Sequence, residues 1–196
     1  SIKPESLAID VFSEVEEDTN KSHSKIPLPK DIYKSIRQNS ASIMLTEQNE
    51  VDLLFQSQEF WLKNKWQAKS MIYGLTLEDA YEEEVKNPSD TSDTVGSVLY
   101  ADHSQLEHCL VSAQNVFNSN SQNQERMLES LDRAAELYEE NQFELMALAM
   151  REAGKTYQDA IDEVREAVDF LRYYSNLARK VMPNKRKAMG VFVCIS

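Results

Sequence analysis

From Asp102 to Val181 the apolar residues return at intervals of three and four, a spacing that places them on one face of successive helices and leaves strands little room. Leu106, Cys109, Leu110, Ala113, Val116 and Phe117 predict a first face. Met127, Leu128, Leu131, Ala134, Ala135 and Tyr138 predict a second. A third helix is expected to run to about Glu152, where Gly154 supplies the stop that a left-handed residue gives most cheaply. A fourth, over Tyr157–Val181, is expected to bury Ala160, Ile161, Val164, Ala167, Val168, Leu171 and Tyr174 and to end before Pro183. The chain closes on Gly190-Val-Phe-Val-Cys-Ile-Ser196, an unbroken apolar run rich in β-branched residues that reads as a strand buried on both faces of a parallel sheet. Four amphipathic helices and one such strand make the beginning of an α/β domain. Because the chain opens on Ser1 and closes on this run, both ends are expected to be cuts within a longer polypeptide.

Upstream the pattern is weaker. Pro4, Pro27 and Pro29 bias their predecessors toward extended backbone, so residues 1–70 read as a connector with short helices, near Pro4–Glu16 and Gln48–Trp61. Short strands are expected at Met71–Gly74 and Val95–Ala101, separated by an acidic loop that contains Asn87-Pro88-Ser89-Asp90. The architecture is therefore mainly α with a few short strands, divided into a connector over 1–70 and an incomplete α/β portion over 71–196.

Charge and composition narrow the function. With 33 acidic against 21 basic side chains the formal charge is -12, which argues against nucleic acid as a partner, since phosphate binding needs a basic surface. The two cysteines, Cys109 and Cys194, are far apart and suit a reducing cytoplasm, not a disulfide framework. No stretch approaches the roughly 18 apolar residues of a membrane span.

Several local patterns carry possible chemistry. Arg151-Glu-Ala-Gly-Lys-Thr156 ends like a phosphate-binding loop, but Ala149 stands at the first glycine position, inside a helical pattern with no strand before it. His103, Glu107, His108 and Cys109 cluster at a helix start, and His103 and Glu107 share a face; a metal site would need further ligands that the sequence does not offer, which favours surface residues and an inward Cys109. Cys194, within the apolar run, is expected to pack in a core. Glu163 and Glu166, three apart on the long helix, read as solvated charges, and no Ser-His-Asp or Cys-His set can be assembled.

One segment goes further. Arg151-Glu-Ala-Gly-Lys-Thr-Tyr-Gln-Asp-Ala-Ile-Asp-Glu-Val-Arg-Glu-Ala-Val-Asp-Phe-Leu-Arg-Tyr-Tyr174 closely resembles the helix that enters the aldehyde dehydrogenase domain of proline utilization A proteins. In the same order, Lys25-Ile-Pro-Leu-Pro-Lys-Asp-Ile-Tyr33 with Arg37-Gln-Asn-Ser40 resembles the connector after that family's proline dehydrogenase barrel. Trp66-Gln-Ala68 with Gly74, Asn87-Pro88 and Asp93-Thr-Val-Gly96 resemble the opening of its dehydrogenase half. Gly190–Ser196 resembles the first strand of its cofactor sheet, although Ala188-Met-Gly190 departs from the proline usual near that strand's start.

The resemblance implies a truncated N-terminal part of an aldehyde dehydrogenase α/β domain preceded by a connector, from a bifunctional enzyme that converts proline to glutamate. An FAD-dependent barrel would oxidise proline and an NAD-dependent half would oxidise glutamate semialdehyde, formed from pyrroline-5-carboxylate, through a cysteine nucleophile. It implies no catalytic residue within this segment. By position it assigns Ile195 and Ser196 to the cofactor site and Glu163 to the neighbourhood of the substrate entrance, and it implies as partners the rest of the parent polypeptide and further copies of it. Two other readings remain: a self-contained helical interaction module, and another aldehyde dehydrogenase relative with a different substrate.

Overall fold

The computed structural model describes residues 25–75, 81–119, 124–181 and 189–195. The chain divides into two compact units, Ser1–Asn39 and Ser40–Ser196. In the first, a 3-10 turn at Pro29–Asp31 begins with the proline whose fixed φ favours a helical start, and the Arg37 guanidinium lies over the Tyr33 ring at 3.7 Å. The helix expected near Pro4–Glu16 lies outside the described residues.

In the second unit, α1 spans Gln48–Trp61, the bounds that the sequence predicts. Three strands follow: β1 (Trp66–Lys69), β2 (Tyr81–Asn87) and β3 (Asp90–Tyr100). They form one sheet in the order β1-β3-β2, with β1 parallel and β2 antiparallel to β3. The β2–β3 turn is set by Asn87, whose side-chain oxygen accepts the Ser89 N–H at 2.9 Å. The β1–β3 pairing depends on Gly96, opposite Trp66: a Cβ there would lie 2.0 Å from the Trp66 carbonyl oxygen.

Two strand expectations shift. Met71–Gly74 is not a strand, because the pairing with β3 is used up at Lys69 and at the Ser70 N–H, which still reaches the Leu99 carbonyl at 3.1 Å. Beyond it Met71 and Tyr73 are 92% and 87% exposed. The acidic stretch read as a loop is instead largely β2. Glu82, Glu83 and Glu84 stand exposed on an edge strand, where water solvates the charges and they discourage further pairing.

Four further helices lie among the described residues of the unit: α2 (His103–Asn118), α3 (Gln124–Glu140), α4 (Gln142–Ala153) and α5 (Tyr157–Val181). Asp102 and Gln105 make a reciprocal capping box at the start of α2. Gly154, at φ 66°, ends α4 as expected. Leu54, Met146, Ala160 and Ile161 form the core cluster, with Ile43, Phe143, Met150 and Val164 packed around it, and each large side chain so buried contributes about 1.5–3 kcal/mol. The face predicted on α2 is not buried: no other described element packs on this helix, and Leu106 and Leu110 are exposed. Tyr174, expected inside, is also exposed.

The antiparallel pair α3 and α5 is joined by a polar seam. Glu125, Asp132 and Glu139 recur every seven residues on α3, and Arg165, Arg172 and Arg179 do so on α5. Arg172 holds Glu139 by two bonds, at 3.0 and 2.6 Å, and Arg179 reaches Asp132 at 2.8 Å and Glu125 at 3.6 Å. Asp132 beside it raises the Arg179 guanidinium above its ordinary pKa.

The closing run differs most from expectation. Residues 191–195 are in no strand, and Val193 and Ile195 are 72% and 93% exposed. A strand requires a neighbouring backbone, and none of the described strands runs beside these residues.

Candidate functional site

The turn between α4 and α5 collects the residues of most chemical interest. Gly154 takes the left-handed conformation, and a Cβ on it would approach the Pro88 Cγ at 3.3 Å, so the hairpin turn of the sheet abuts the helix turn. The next two residues, Lys155 and Thr156, lead into α5. Thr156 Oγ1 donates to Asp159 Oδ2 at 2.7 Å, and the Thr156 and Asp159 N–H groups donate crosswise to the same side chains at 3.3 and 3.2 Å. These bonds, the hydroxyl's first, hold the Asp159 carboxyl below its ordinary pKa. Lys155 turns back over the first two turns of α5, and its Nζ meets Glu163 Oε1 at 2.5 Å. The pairing raises the Lys155 pKa.

Glu163 is thus neither buried nor free. Its side chain is 53% exposed and is held on one side by an ammonium. Lys155, the residue that a phosphate-binding loop would point at a ligand, is occupied by this carboxylate, and a helix rather than a strand precedes the glycine. Glu166 is exposed near the same pair.

Arg151, in the last turn of α4, fixes this turn to the sheet. Its Nε and one terminal nitrogen grip Asp93 of β3 at 3.0 and 2.7 Å. The other nitrogen reaches the Asn64 carbonyl, and the guanidinium carbon lies 5.4 Å from the centre of the Trp66 ring. Trp66 in turn donates its indole N–H to Glu144 at 2.9 Å. The hydrogen bond from Arg151, followed by one from Asn87, holds the Asp93 carboxyl below its ordinary pKa. The sequence gives little warning of this junction. Arg151 follows Ala147 at helical spacing and looks like a solvated charge near a helix end, where a cation is favourable anyway.

The other candidates stay apart. His103, Glu107 and His108 are exposed along α2 and Cys109 is half-buried; among the described residues no three His, Cys, Asp or Glu side chains are placed to hold a metal ion. Cys194 is exposed, not packed in a core, because the run that carries it joins no sheet. Ile195 is likewise exposed and in no strand, and Ser196 lies outside the described residues. A dinucleotide needs a crevice at the carboxyl ends of parallel strands. The described sheet has one parallel pairing, β1 with β3, and residues 191–195 lie in no strand beside it, so among the described residues Ile195 is not brought to the end of a parallel strand.

Residues 76–195, more than half of the chain, match the aldehyde dehydrogenase family. The chain belongs to that family. It is 38% identical over 194 residues to the bifunctional protein PutA of Klebsiella aerogenes, an alignment that covers 96% of this chain and 14% of the relative. To the 1-pyrroline-5-carboxylate dehydrogenase of Anoxybacillus flavithermus it is 31% identical over 96 residues, 48% of this chain and 19% of that one. Among solved structures, proline utilization A from Bdellovibrio bacteriovorus superposes with a TM-score of 0.69 at 21% identity, over 80% of this chain and 16% of that one. The Thermus 1-pyrroline-5-carboxylate dehydrogenase with bound NAD gives 0.66 at 22% identity, over 81% and 29%. At these identities the structural likeness establishes the fold of an aldehyde dehydrogenase segment. The chain spans 14% of the length of the PutA relative, a minor part of a much longer protein.

Proposed function

We propose that this aldehyde dehydrogenase segment serves the NAD-dependent glutamate-semialdehyde (pyrroline-5-carboxylate) dehydrogenase half of a bifunctional enzyme that oxidises proline to glutamate. The observation that carries the reading is where the similarity extends. The family match begins at residue 76, and the dehydrogenase of a single named activity aligns over 96 residues, yet the PutA relative aligns over 194. The additional sequence similarity therefore falls largely on residues before 76; the Thermus dehydrogenase superposes on 81% of this chain, so part of that stretch belongs to the dehydrogenase fold, and it is the sequence likeness there that favours the bifunctional relative.

On this reading residues 1–70 are the connector that follows an FAD-dependent proline dehydrogenase barrel, and 71–196 begin the dehydrogenase portion. The division is one of origin, since Ser40–Ser196 packs as a single compact unit. Ile195 and Ser196 line the NAD site once the rest of the sheet is in place, and Glu163 flanks the substrate entrance, oriented by Lys155. NAD accepts the hydride of the aldehyde oxidation. The parent is a cytoplasmic homo-oligomer, and the segment alone is inactive. No helix among the described residues is long and apolar enough to cross a membrane.

The test is made on the intact protein. It should reduce NAD when given glutamate semialdehyde, and failure to do so while other aldehydes are oxidised would overturn the substrate. The Glu163→Gln variant should raise KM for the semialdehyde several-fold while proline oxidation is unchanged. An unaltered KM would remove Glu163 from the site.

A further inference from the structure

Ser40 is 5% exposed, although residues 28–35 before it and its neighbour Ala41 are all exposed. Two donors of this one residue converge on one carboxylate of α5: the Ser40 N–H reaches Asp169 Oδ1 at 3.0 Å, and the Ser40 hydroxyl reaches Oδ2 at 2.9 Å. The next N–H, that of Ala41, donates to Glu139 Oε1 of α3 at 2.9 Å. Glu139 is itself held at both oxygens by Arg172 of α5, so the acceptor meets Ala41 already oriented. Two residues further on, Ile43 packs against the core cluster.

We infer that Ser40 and Ala41 form a two-carboxylate latch that fastens the arm of residues 40–43 across α3 and α5. The physical reason is the geometry of consecutive amides. In an extended segment they point to opposite sides, so one residue pair can engage carboxylates on two different helices only where those helices are held at a fixed spacing. The Arg172–Glu139 pair supplies that spacing. Hydrogen bonds to ionised acceptors are the strong kind, and three of them are donated by Ser40 and Ala41, within three residues of the core anchor at Ile43. Arg172 acts here as a positioning residue, through Glu139. The latch also fixes the point at which the preceding chain leaves this unit, and it stands on these contacts alone, whatever reaction the parent carries out.

Because the two sites sit on adjacent residues, loss of one acceptor should release both. The experiment is amide hydrogen exchange on the intact protein, wild type against Asp169→Asn and Glu139→Gln, read at Ser40 and Ala41 with limited proteolysis between Asn39 and Ile43. In the wild type both amides should exchange at least a hundredfold more slowly than unstructured peptide. Each variant should accelerate both amides at least tenfold, including the one whose own acceptor is untouched, and open a new cleavage site. The latch is refuted if the wild-type amides exchange at the unstructured rate, or if each variant frees only its own donor. Should either variant fail to fold, Ser40→Ala decides. It removes the hydroxyl bond alone, and should speed both amides two- to tenfold; no acceleration counts against the latch.

Discussion

Replacing Asp93 by Asn tests whether the α4–α5 turn is held to the sheet by Arg151. The substitution keeps shape and one carbonyl acceptor but removes the charge that two guanidinium nitrogens grip at 3.0 and 2.7 Å. Arg151 keeps its own charge in a site where its side chain is 7% exposed, with the Asn64 and Thr94 carbonyls and the Trp66 face as remaining partners. Breaking a fully buried pair costs about 3–5 kcal/mol. Asp93 is 31% exposed, so water recovers part of that, and about 2–3 kcal/mol is the expected loss. Since the parent is long and need not unfold in two states, the assay is native-state exchange of the β3 and α4 amides. The loss corresponds to exchange about 30- to 160-fold faster. A pH series adds a second readout. The Arg151 hydrogen bond holds the folded-state pKa of Asp93 below its ordinary value, so its stabilisation is present above the unfolded value and is lost as pH falls through the lower folded value. Wild-type protection should therefore decline below about pH 4, and the Asn variant should lack that step. An exchange change under threefold, or an identical acid profile in the variant, would show that the junction is held by packing and not by this pair.

Gly96→Ala should separate β1 from β3, because the added carbon would sit 2.0 Å from a backbone oxygen that cannot rotate away; a loss of at least about 3 kcal/mol is expected, read as lost exchange protection at residues 67–69. Thr156→Ala should lower stability by about 1 kcal/mol through the lost cap of α5, and Thr156→Ser should restore most of it; equal melting of the Ala and Ser variants would dismiss the cap. The chain expressed by itself should self-associate through exposed apolar side chains such as Leu106, Leu110, Val111, Phe170 and Tyr174, and a monodisperse monomer with a cooperative thermal transition would count against this.

The parts of the fold that the sequence made legible are those with a local cause. Helix α1 and helix α5 fall at the expected bounds, and α4 ends at Gly154, a stop that acts within one position of the end it sets. What local pattern could not give was pairing. Met71-Ile-Tyr-Gly74 has the composition of a strand, but register with Gly96 selects Trp66–Lys69 instead. Tyr81–Asn87 looks too acidic to be a strand, yet an edge position lets its charges face water. Val191–Ile195 has a strand's composition and no described neighbour with which to be one.

The same distinction governs the candidate site. Lys155, Glu163 and the Thr156–Asp159 cap lie within nine residues of one another, so helical spacing alone brings them together. Arg151 with Asp93 are 58 apart in sequence and Ser40 with Asp169 are 129 apart, and no local pattern links such partners. One long-range signal was available: the seven-residue recurrence of Glu125, Asp132 and Glu139 against that of Arg165, Arg172 and Arg179. Complementary charge at matched heptad spacing on two predicted helices is what an antiparallel pair with a polar seam requires. The third step of that pattern shows why it is not a complete rule. Opposite Arg165 the acidic series has ended, because α3 stops at Glu140 and the next residue at seven-fold spacing is the core residue Met146; the Arg165 guanidinium instead meets Asp162 of its own helix at 3.4 Å, and its Nε is buried with no hydrogen-bond partner among the described residues. The ladder thus gives way where the apolar core begins, and the strap from Ser40 to Ile43 crosses the two helices near that point, joining their polar seam to the core beside it.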